Sequence, residues 1–545
     1  MICRTIWEKV TMIDSLYNEI DKNYFYIGRI SQVYRDGSIA QVENLSLLSH
    51  RKLMGECLCP NTINFLVVID SVLGLFLGEV YQNKVLSSDN LHESINKGKS
   101  EVIFPEVGID VIGLMPYDTM KFKLPEFLTV GVTDKVYLAN EKIIQLYLES
   151  MEITTIDEKI LPPFATYLNG IDGDVALKPS TLFSHHLMTV GATNSGKSTS
   201  ALSILDKIVV DKKKALIIDP TGEYKDSFSD AEIVKLTLGI DTAISPGKIS
   251  MQQWSMLFET NSNTQSAVLA EAIHSLRYQR KVGSSVCLTK AGQNIATIQQ
   301  QLSSITKADT DFEVSLLPQQ IAAESVSEPT RGSTYVHDIF KANANNYLVE
   351  KVTYQLGNTN FLTFFSQKQG MKDLLSEINS FLHTPQSSLY VDASLLGAVD
   401  GIGGMIIDLV SNYVINQDNI YPFVYFIDEV HRYTKSQYSE SEFHNGLTLV
   451  AREGRKKGIF LFLTTQNPQD VSPILLGQVG TLLVHRLMHN DEIRAIQNHL
   501  DDYSIKHVRK LNQGEAILTS VNLLKNIIIR VYKSERKQYN ETPSL

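Results

Sequence analysis

Residues 186–205 of the chain, HLMTVGATNSGKSTSALSIL, decide its fold. A short apolar run leads into a loop bounded by glycines, and a helix-compatible sequence follows the loop. A strand, a loop and a helix in this order begin a unit in which the helix crosses over to a parallel strand. The stretch therefore predicts an α/β fold built on a parallel sheet.

The loop within this stretch matches the pattern G-x-x-x-x-G-K-[ST] at Gly191-Ala192-Thr193-Asn194-Ser195-Gly196-Lys197-Ser198, called the P-loop below. Such a loop turns its backbone N–H groups inward around phosphates, and its glycines permit the close approach. We predict that these residues and Thr199 bind ATP. Lys197 is expected at the β- and γ-phosphates and Ser198 on Mg²⁺.

Further apolar runs alternate with helical stretches along the chain, and these runs extend the predicted sheet. The candidate strands are residues 186–190, 214–219, 388–392, 423–428 and 458–465, with 481–486 as a sixth. Several are continuously apolar, as expected of strands covered on both faces. Between the second and third strands, residues 246–384 have a mostly helical pattern and are predicted to be a helical insertion.

The N-terminal part has a different pattern. From about residue 24 to residue 136, short alternating or apolar runs are divided by glycine, asparagine and aspartate, which indicates a small antiparallel barrel. The most apolar stretch, residues 63–80, predicts two strands and a turn. We therefore expect an N-terminal barrel domain (1–150), an ATPase domain (151–535) and a polar tail (536–545).

Length and composition fit a soluble globular protein of two or three domains, with 545 residues and a net charge of −10. That charge argues against a surface that coats nucleic acid, although a locally basic channel stays possible. We find no signal peptide or membrane span and expect a cytoplasmic protein. The cysteines, Cys3, Cys57, Cys59 and Cys287, lack zinc-ligand spacing and are expected to be reduced thiols.

The second half of a nucleotide site is expected at the end of a neighbouring buried strand, where Asp428 and Glu429 follow residues 423–427. Asp428 is predicted to position Mg²⁺ through water. Glu429 is predicted to polarise the attacking water as a base. Two acids after an apolar run also occur where a strand meets a solvated turn, but the pairing with the P-loop favours a catalytic interpretation.

Two more segments have residue types suited to the same site. Gln466 follows strand 458–465 and could contact the γ-phosphate or the water, or it could simply belong to a turn. Arg452 and Arg455 lie in a basic segment just before that strand. Their positive charge could complement a helix dipole instead of serving catalysis.

The order and spacing of these motifs resemble the HerA/FtsK group of P-loop ATPases, and HerA in particular. The resemblance covers the barrel-like N-terminal part, the P-loop and residues 219–224, 428–431, 451–456, 465–466 and 514–516. It implies a RecA-like ATPase core that assembles into a ring, expected to be a hexamer, with DNA passing through the central channel. It also implies that the barrel helps to dock a partner.

The same resemblance suggests residue roles and partners. Arg452 or Arg455 would be an arginine finger that reaches the γ-phosphate of the neighbouring subunit, and Glu223 would face the phosphates or the water. HerA proteins work with a nuclease in DNA end processing. Bacterial relatives are also coupled to nuclease or sirtuin-like, NAD-consuming effectors in antiviral defence.

The chain departs from the family pattern at three places. Asn194 stands where glycine is common, and asparagine tolerates a left-handed conformation better than most residues. Asn467 follows the glutamine where relatives often have arginine. Upstream of the P-loop, His185 and His186 occupy positions where a basic residue can sense phosphate, although ordinary packing is the favoured interpretation for both.

DNA contacts are not defined by a motif. Residues 277–281, RYQRK, have the residue types of a channel loop, but a solvated helix face is the favoured interpretation. The leading hypothesis is a DNA-translocating motor. The alternative is an ATP-regulated scaffold that assembles and switches an effector enzyme. A membrane-associated secretion or conjugation ATPase is disfavoured.

Overall fold

A computed structural model describes residues 13–538, except 18–20, 35–36, 54–55, 61, 86–90, 100–102, 169–172, 262–263, 358–360, 366–369, 386–387, 396–401 and 435–445. Cys3 and residues 539–545 of the predicted tail lie outside the described residues. Cys59 and Cys287 are free thiols. Within the described ranges, no helix is long and apolar enough to cross a bilayer.

The chain forms two compact units. The first contains the described residues up to Ile160 together with Thr166–Thr181 and Leu518–Ile529. The second contains Leu161–Ala165, Leu182–Ile517 and the described residues from Arg530 onward. A late segment of the chain thus belongs to the unit that holds the N-terminal residues. The domain limits at residues 150 and 535 stay predictions.

The first unit is built on a closed antiparallel barrel, as the N-terminal pattern predicts, with strand order β1-β2-β7-β6-β5-β8. Residues 63–80 form a hairpin in which Ile69 pairs with Phe76 and Ser71 pairs with Gly74. The strands are β1 (Tyr26–Tyr34), β2 (Gly37–Val42), β3 (Arg51–Leu53), β4 (Glu56–Leu58), β5 (Leu66–Ser71), β6 (Gly74–Lys84), β7 (Glu106–Met115) and β8 (Lys135–Leu138). The helices that accompany them are α1 (Leu91–Asn96) and α2 (Glu141–Glu149).

Three short elements precede β11 along the chain. They are β9 (Ala165–Tyr167), β10 (Asp174–Val175) and α3 (Pro179–Phe183). Strand β11 (Leu187–Val190) follows, and the P-loop joins it to α4 (Lys197–Val210). All four residues of β11 are buried, because neighbouring strands flank it and helices cover the sheet.

In the sheet of the second unit the six predicted strands are neighbours, in the order β21-β11-β20-β19-β12-β18, and β13 follows β18 at the edge. The pairings of β11, β12, β13, β18, β19, β20 and β21 are parallel. The strands after β11 are β12 (Lys214–Asp219), β13 (Ile233–Thr237), β14 (Thr242–Ala243), β15 (Val326–Ser327), β16 (Val336–His337), β17 (Lys372–Asp373), β18 (Ser388–Asp392), β19 (Phe423–Ile427), β20 (Ile459–Thr465), β21 (Thr481–Val484), β22 (Glu515–Ser520) and β23 (Ile527–Val531).

Strand β13 was not expected from the sequence. Only Ile233 and Leu236 are buried in this edge strand, while Val234 is exposed, so its pattern lacks the continuous apolar run of the central strands. It pairs with β18 from Ile233–Ser388 to Thr237–Asp392. An edge position explains the weak signal, since one side of the strand has no partner to favour apolar residues.

The described helices between residues 246 and 384 agree with the helical pattern of that segment. They are α5 (Met251–Leu257), α6 (Gln265–Lys281), α7 (Ile295–Ser303), α8 (Leu317–Ala323), α9 (Ile339–Leu356) and α10 (Leu374–His383). Their core is aromatic, with Trp254 stacked on Phe258 at 5.7 Å between ring centroids. The later helices are α11 (Ile402–Ile415), α12 (His431–Thr434), α13 (Gly446–Glu453), α14 (Pro473–Leu476), α15 (Asn490–Ile496) and α16 (Asp502–His507).

Candidate nucleotide site

The P-loop has the backbone conformation that a phosphate cradle needs. Asn194 adopts φ 62° and Gly196 adopts φ 107°, so the left-handed conformation expected of Asn194 is present. Gly196 is the N-cap of α4 and makes no side-chain cap. The first N–H groups of α4 are therefore free of a capping side chain and available to an anion.

A turn far along the chain supports the P-loop. Gly514 donates its N–H to the Ser195 carbonyl at 2.9 Å, and Gln513 Nε2 donates to Asn194 Oδ1 at 2.8 Å. A Cβ on Gly196 would lie 2.8 Å from the Gly514 nitrogen, so this close approach requires glycine at position 196. The sequence marks residues 514–516 only as a family motif, and the structure gives that motif a physical reason.

His485, which follows β21, lies beneath the P-loop. Its Nδ1 is 2.8 Å from the Glu515 carbonyl, which can only accept, so Nδ1 carries the proton. A Cβ on Gly191 would meet the His485 Cβ at 2.7 Å. Complete burial, together with the charge of Lys197, lowers the pKa of His485 to about 4. Sequence reasoning missed this neutral histidine because a single histidine after an apolar strand carries no pattern.

Asp428 lies at the carboxyl end of β19, as the strand pattern predicts, and is almost fully buried. The Thr464 hydroxyl donates to Asp428 Oδ1, and the Thr221 hydroxyl, which donates to Asp219 Oδ1 at 2.8 Å, lies 3.4 Å from Asp428 Oδ2. Burial raises the pKa of Asp428. A carboxylate held by hydroxyls in a dry environment is suited to a hard cation.

Glu223 brings a second carboxylate toward the same place. Its Oε2 is buried and has no hydrogen-bond partner within the described residues. Burial, with the nearby charge of Asp428, raises the pKa of Glu223 to about 7. Ser198 hydrogen-bonds to Glu223 and lowers that pKa in part. The carboxylate oxygen of Glu223, together with the oxygens of Ser198 and Asp428, provides oxygen ligands of the kind that Mg²⁺ prefers.

The loop that presents Glu223 is fixed by Asp219, the last residue of β12. The buried Asp219 carboxylate accepts N–H bonds from Thr221, Gly222 and Tyr224 at 2.8–3.0 Å. It also accepts the Tyr390 hydroxyl at 2.8 Å. Asp219 therefore has a structural role that the sequence motif 219–224 does not reveal.

Several contacts restrain Glu429. It adopts φ 49°, a left-handed conformation that is uncommon for glutamate, and its N–H donates to Thr464 Oγ1 at 2.9 Å. Lys197 Nζ lies 2.6 Å from Glu429 Oε1, and both residues are 4% exposed. Burial opposes ionisation of Glu429. Hydrogen bonding to His431 and the charge of Lys197 outweigh it and lower the pKa of Glu429 to about 2.

Gln466 lies between the P-loop and Glu429. Its Nε2 donates to Glu429 Oε1 at 2.7 Å, and its Oε1 accepts from the Thr193 hydroxyl at 2.9 Å. Strand β20 ends one residue earlier and is parallel to β11, which brings Gln466 beside the loop that follows β11. The side chain is thus part of the cluster, and its catalytic role stays a prediction.

His431 is a member of this cluster to which sequence reasoning gave no role. Its Nδ1 lies 3.2 Å from Glu429 Oε2 and 3.2 Å from Thr465 Oγ1. It begins the single-turn helix α12, two residues after Glu429. The only available signal was its place within residues 428–431, a segment noted for the family resemblance.

The predicted finger residues lie elsewhere on the second unit. Arg452 is exposed near the end of α13, and Arg455 follows in a short 3₁₀ turn. In the described part of the chain, neither arginine forms a hydrogen bond or ion pair with the P-loop, Asp428 or Glu429. Arg455 instead donates to the Ser184 carbonyl at 3.1 Å and lies 2.8 Å from His185 Nε2.

The two upstream histidines differ. His186 is buried between β20 and α13 and makes two hydrogen bonds there, which agrees with the packing interpretation. His185 is exposed and contacts Arg455. Within the described residues, neither histidine has a hydrogen bond to the P-loop.

The basic segment 277–281 is engaged within its own chain. It ends α6, where Lys281 Nζ lies 2.8 Å from Asp309 and Arg280 lies 3.6 Å from Asp311. Gln279 is buried, and the Arg277 guanidinium is partly buried. These contacts favour a structural role over a channel loop.

A family match covers the P-loop. Residues 166–395 match the family model described as "Helicase HerA, central domain". A probable helicase of Methanocaldococcus jannaschii is 20% identical over 391 residues, covering 69% of this chain and 67% of the relative. A "DNA double-strand break repair helicase HerA" of Sulfurisphaera tokodaii is 21% identical over 406 residues, covering 69% of this chain and 70% of the relative.

A second Methanocaldococcus jannaschii protein, a probable HerA helicase, is 20% identical over 506 residues, covering 81% of this chain and 92% of the relative. Among solved structures, VirB4 of Thermoanaerobacter pseudethanolicus aligns with a TM-score of 0.47 and 13% identity, over 70% of this chain and 99% of that chain. The family match begins before the P-loop and includes Glu223, and the relatives extend across most of the chain. Together, the family match and the relatives support a P-loop ATPase of the HerA/FtsK type.

Proposed function

We propose that the chain hydrolyses ATP at the cluster formed by the P-loop, Asp428, Glu429 and Gln466, and that it uses this hydrolysis to move on DNA as a ring. The observation that carries the proposal is the buried contact of Lys197 with Glu429, beside Gln466. This contact joins Lys197, Glu429 and Gln466 in one hydrogen-bonded group, which supports their assignment as phosphate-binding lysine, base and neutral donor.

Binding of ATP is assigned to the P-loop residues 191–198 and Thr199. The free N–H groups at the start of α4 would face the phosphates, and Lys197 would hold the β- and γ-phosphates. Ser198 and Asp428 would hold Mg²⁺, and Glu223 would face the phosphates or the water. The cation would supply neutralisation of phosphate charge.

Hydrolysis requires Glu429 to be released from Lys197. When Lys197 turns to the phosphates, Glu429 keeps its bonds to Gln466 and its contact with His431, so its carboxylate stays oriented. It can then accept the proton of the attacking water. Gln466 would report loss of the γ-phosphate to the P-loop, and its hydrogen bond from Thr193 supports this role.

The core is proposed to be RecA-like and to work as a ring, with a hexamer as the expected size. Arg452 or Arg455 would act across the subunit interface, because neither contacts the site of its own chain in the described residues. An arginine supplied in trans can accelerate phosphoryl transfer by about a thousandfold or more. Hydrolysis would then depend on assembly.

DNA is the proposed track, since relatives of this chain are named as DNA repair helicases. The test is the ATPase rate with and without long duplex or single-stranded DNA, at low and moderate salt, beside a direct binding titration. We expect DNA to accelerate hydrolysis and binding to weaken with salt, because counterions are released. If DNA neither binds nor changes the rate, the ATP-regulated scaffold becomes the better account.

A protein partner docked on the barrel unit is also proposed, either a nuclease or a sirtuin-like NAD-consuming effector. Copurification followed by mass measurement of the intact complex tests both the partner and the ring size. A role in antiviral defence stays a prediction.

A further inference from the structure

His186 makes two hydrogen bonds that fix its tautomer. Its Nδ1 accepts the backbone N–H of Leu461 at 3.0 Å, and its Nε2 lies 2.8 Å from the Ala451 carbonyl. Because an N–H can only donate and a carbonyl can only accept, Nε2 carries the proton and donates to Ala451. Burial lowers the pKa of His186, which favours this neutral form.

The accepting carbonyl belongs to the helix that bears Arg452. Ala451 lies in the last turn of α13, where helix carbonyls lack partners within the helix, and Arg452 is the next residue. The same upstream segment also holds Arg455, through the Ser184 carbonyl and His185. Residues 184–186 therefore contact the segments that carry both candidate finger residues.

The beginning of α13 is fixed separately. Gly446 donates its N–H to Asp408 Oδ1 at 2.6 Å, while Gln253 and Asn412 donate to Asp408 Oδ2 at 2.7 and 3.0 Å. A Cβ on Gly446 would lie 2.7 Å from the Asn412 nitrogen and the Asp408 carbonyl, so α13 packs closely on α11. Helix α13 is thus held by Asp408 at one end and by His186 at the other.

Strand β11 connects His186 to the P-loop along the chain. His186 immediately precedes β11, whose four buried residues lead to Gly191. Strand β11 is paired on both sides, with β20 and β21, so it behaves as a rigid element. His186 also adopts φ 60°, a conformation that few residue types accept, which indicates that the surrounding contacts specify it.

We propose that His186 is a positioning residue that ties α13, and with it Arg452, to the strand that carries the P-loop. The state of a subunit's own nucleotide site then determines how that subunit presents its arginine to its neighbour. The inference rests on the proposed arginine finger in trans. It adds the route by which one site influences the next around the ring.

The experiment uses two full-length chains in mixed rings. One chain carries Lys197→Ala and keeps its arginines, and the other carries Arg452→Ala with Arg455→Ala and keeps its P-loop. Hydrolysis recovered in the mixture comes from interfaces between an intact P-loop and an intact arginine. His186→Asn is then added to one chain or to the other, since asparagine accepts the left-handed conformation but is too short to bridge Leu461 and Ala451.

If His186 positions Arg452, the recovered hydrolysis should fall mainly when His186→Asn is in the chain that supplies the arginines. His186→Asn in the Lys197→Ala chain should lower the recovered rate about tenfold or more, because a misplaced transition-state group costs about that much. The same change in the chain that lacks both arginines should leave most of the recovery. His186→Gln, which offers an acceptor and a donor, should restore part of the rate in the arginine donor.

The inference would be overturned if His186→Asn lowered the recovered rate equally in both chains, or more strongly in the chain that supplies the intact P-loop. Either result would indicate that His186 simply supports the P-loop. Melting temperature and ring mass are checked for every variant. If His186→Asn does not assemble, Asp408→Ala in each chain provides the same comparison from the other end of α13. Absence of any recovery in the parent mixture would instead reject the finger in trans itself.

Discussion

Lys197 and Glu429 form a buried ion pair, with Nζ of the lysine 2.6 Å from Oε1 of the glutamate. Both side chains have proposed roles in catalysis, yet in this arrangement each is the ion-pair partner of the other. Phosphate must replace Glu429 as the partner of Lys197 before Glu429 can serve water. In the proposed mechanism, nucleotide binding would therefore separate this pair before hydrolysis.

This ion pair predicts different defects for its two members. Lys197→Ala should weaken ATP binding, because the phosphates lose a cation. Glu429→Gln should bind a non-hydrolysable ATP analogue at least as tightly as the wild type, because Lys197 is released from its partner, and should lower kcat by roughly two to four orders of magnitude. Titration calorimetry and phosphate release measure the two properties. Wild-type turnover in Glu429→Gln would remove Glu429 as the base.

The two restraints on Glu429 predict non-additive substitutions. His431→Asn and Gln466→Ala each lose a contact with the same carboxylate, at Oε2 and Oε1. Each should lower kcat by about tenfold to a hundredfold with little change in analogue affinity, and the double variant should lose less than the product of the two, since contacting residues couple. His507→Gln, on α16, is the matched control. Strictly multiplicative losses would mean that the two residues act separately.

The arginines predict unequal contributions. Arg452 is exposed at the end of α13, whereas Arg455 is occupied by Ser184 and His185. Arg452→Ala should therefore lower kcat of the assembled protein by about a thousandfold, as loss of a finger does. Arg455→Ala should have a smaller effect. The check is steady-state hydrolysis at protein concentrations where ring mass is verified, and a reversed order would assign Arg455 as the finger.

His485 predicts a pH dependence of stability. Its folded pKa of about 4 lies below the ordinary histidine value, so its contribution is complete above pH 6.5 and is lost as pH falls toward 4. Between pH 7 and pH 5 the wild type should lose roughly 1 to 2 kcal/mol of unfolding free energy through this group. His485→Gln should lose less over that interval.

Denaturant unfolding at the two pH values measures this difference. The exposed His337→Gln serves as the control and should behave like the wild type. An identical pH dependence in His485→Gln and the wild type would contradict a neutral buried His485.

The sequence by itself predicted the elements whose signal is local. Strand β11, the P-loop and α4 follow from one continuous stretch, and Asp428 and Glu429 follow from an apolar run that ends in acids. Central parallel strands are buried on both faces, so their composition reveals them without knowledge of their neighbours. The hairpin of β5 and β6 was predictable for a similar reason, because glycine and polar residues interrupt its apolar run.

Only the tertiary structure decided which distant residues meet. Gly514 lies beside Ser195 and Ala451 lies beside His186, and no local pattern encodes either pair. Edge strand β13 escaped prediction because its burial is partial. The difference between the exposed Arg452 and the hydrogen-bonded Arg455 likewise depends on where residues 184–185 lie, since packing rather than spacing along the chain sets hydrogen-bond partners.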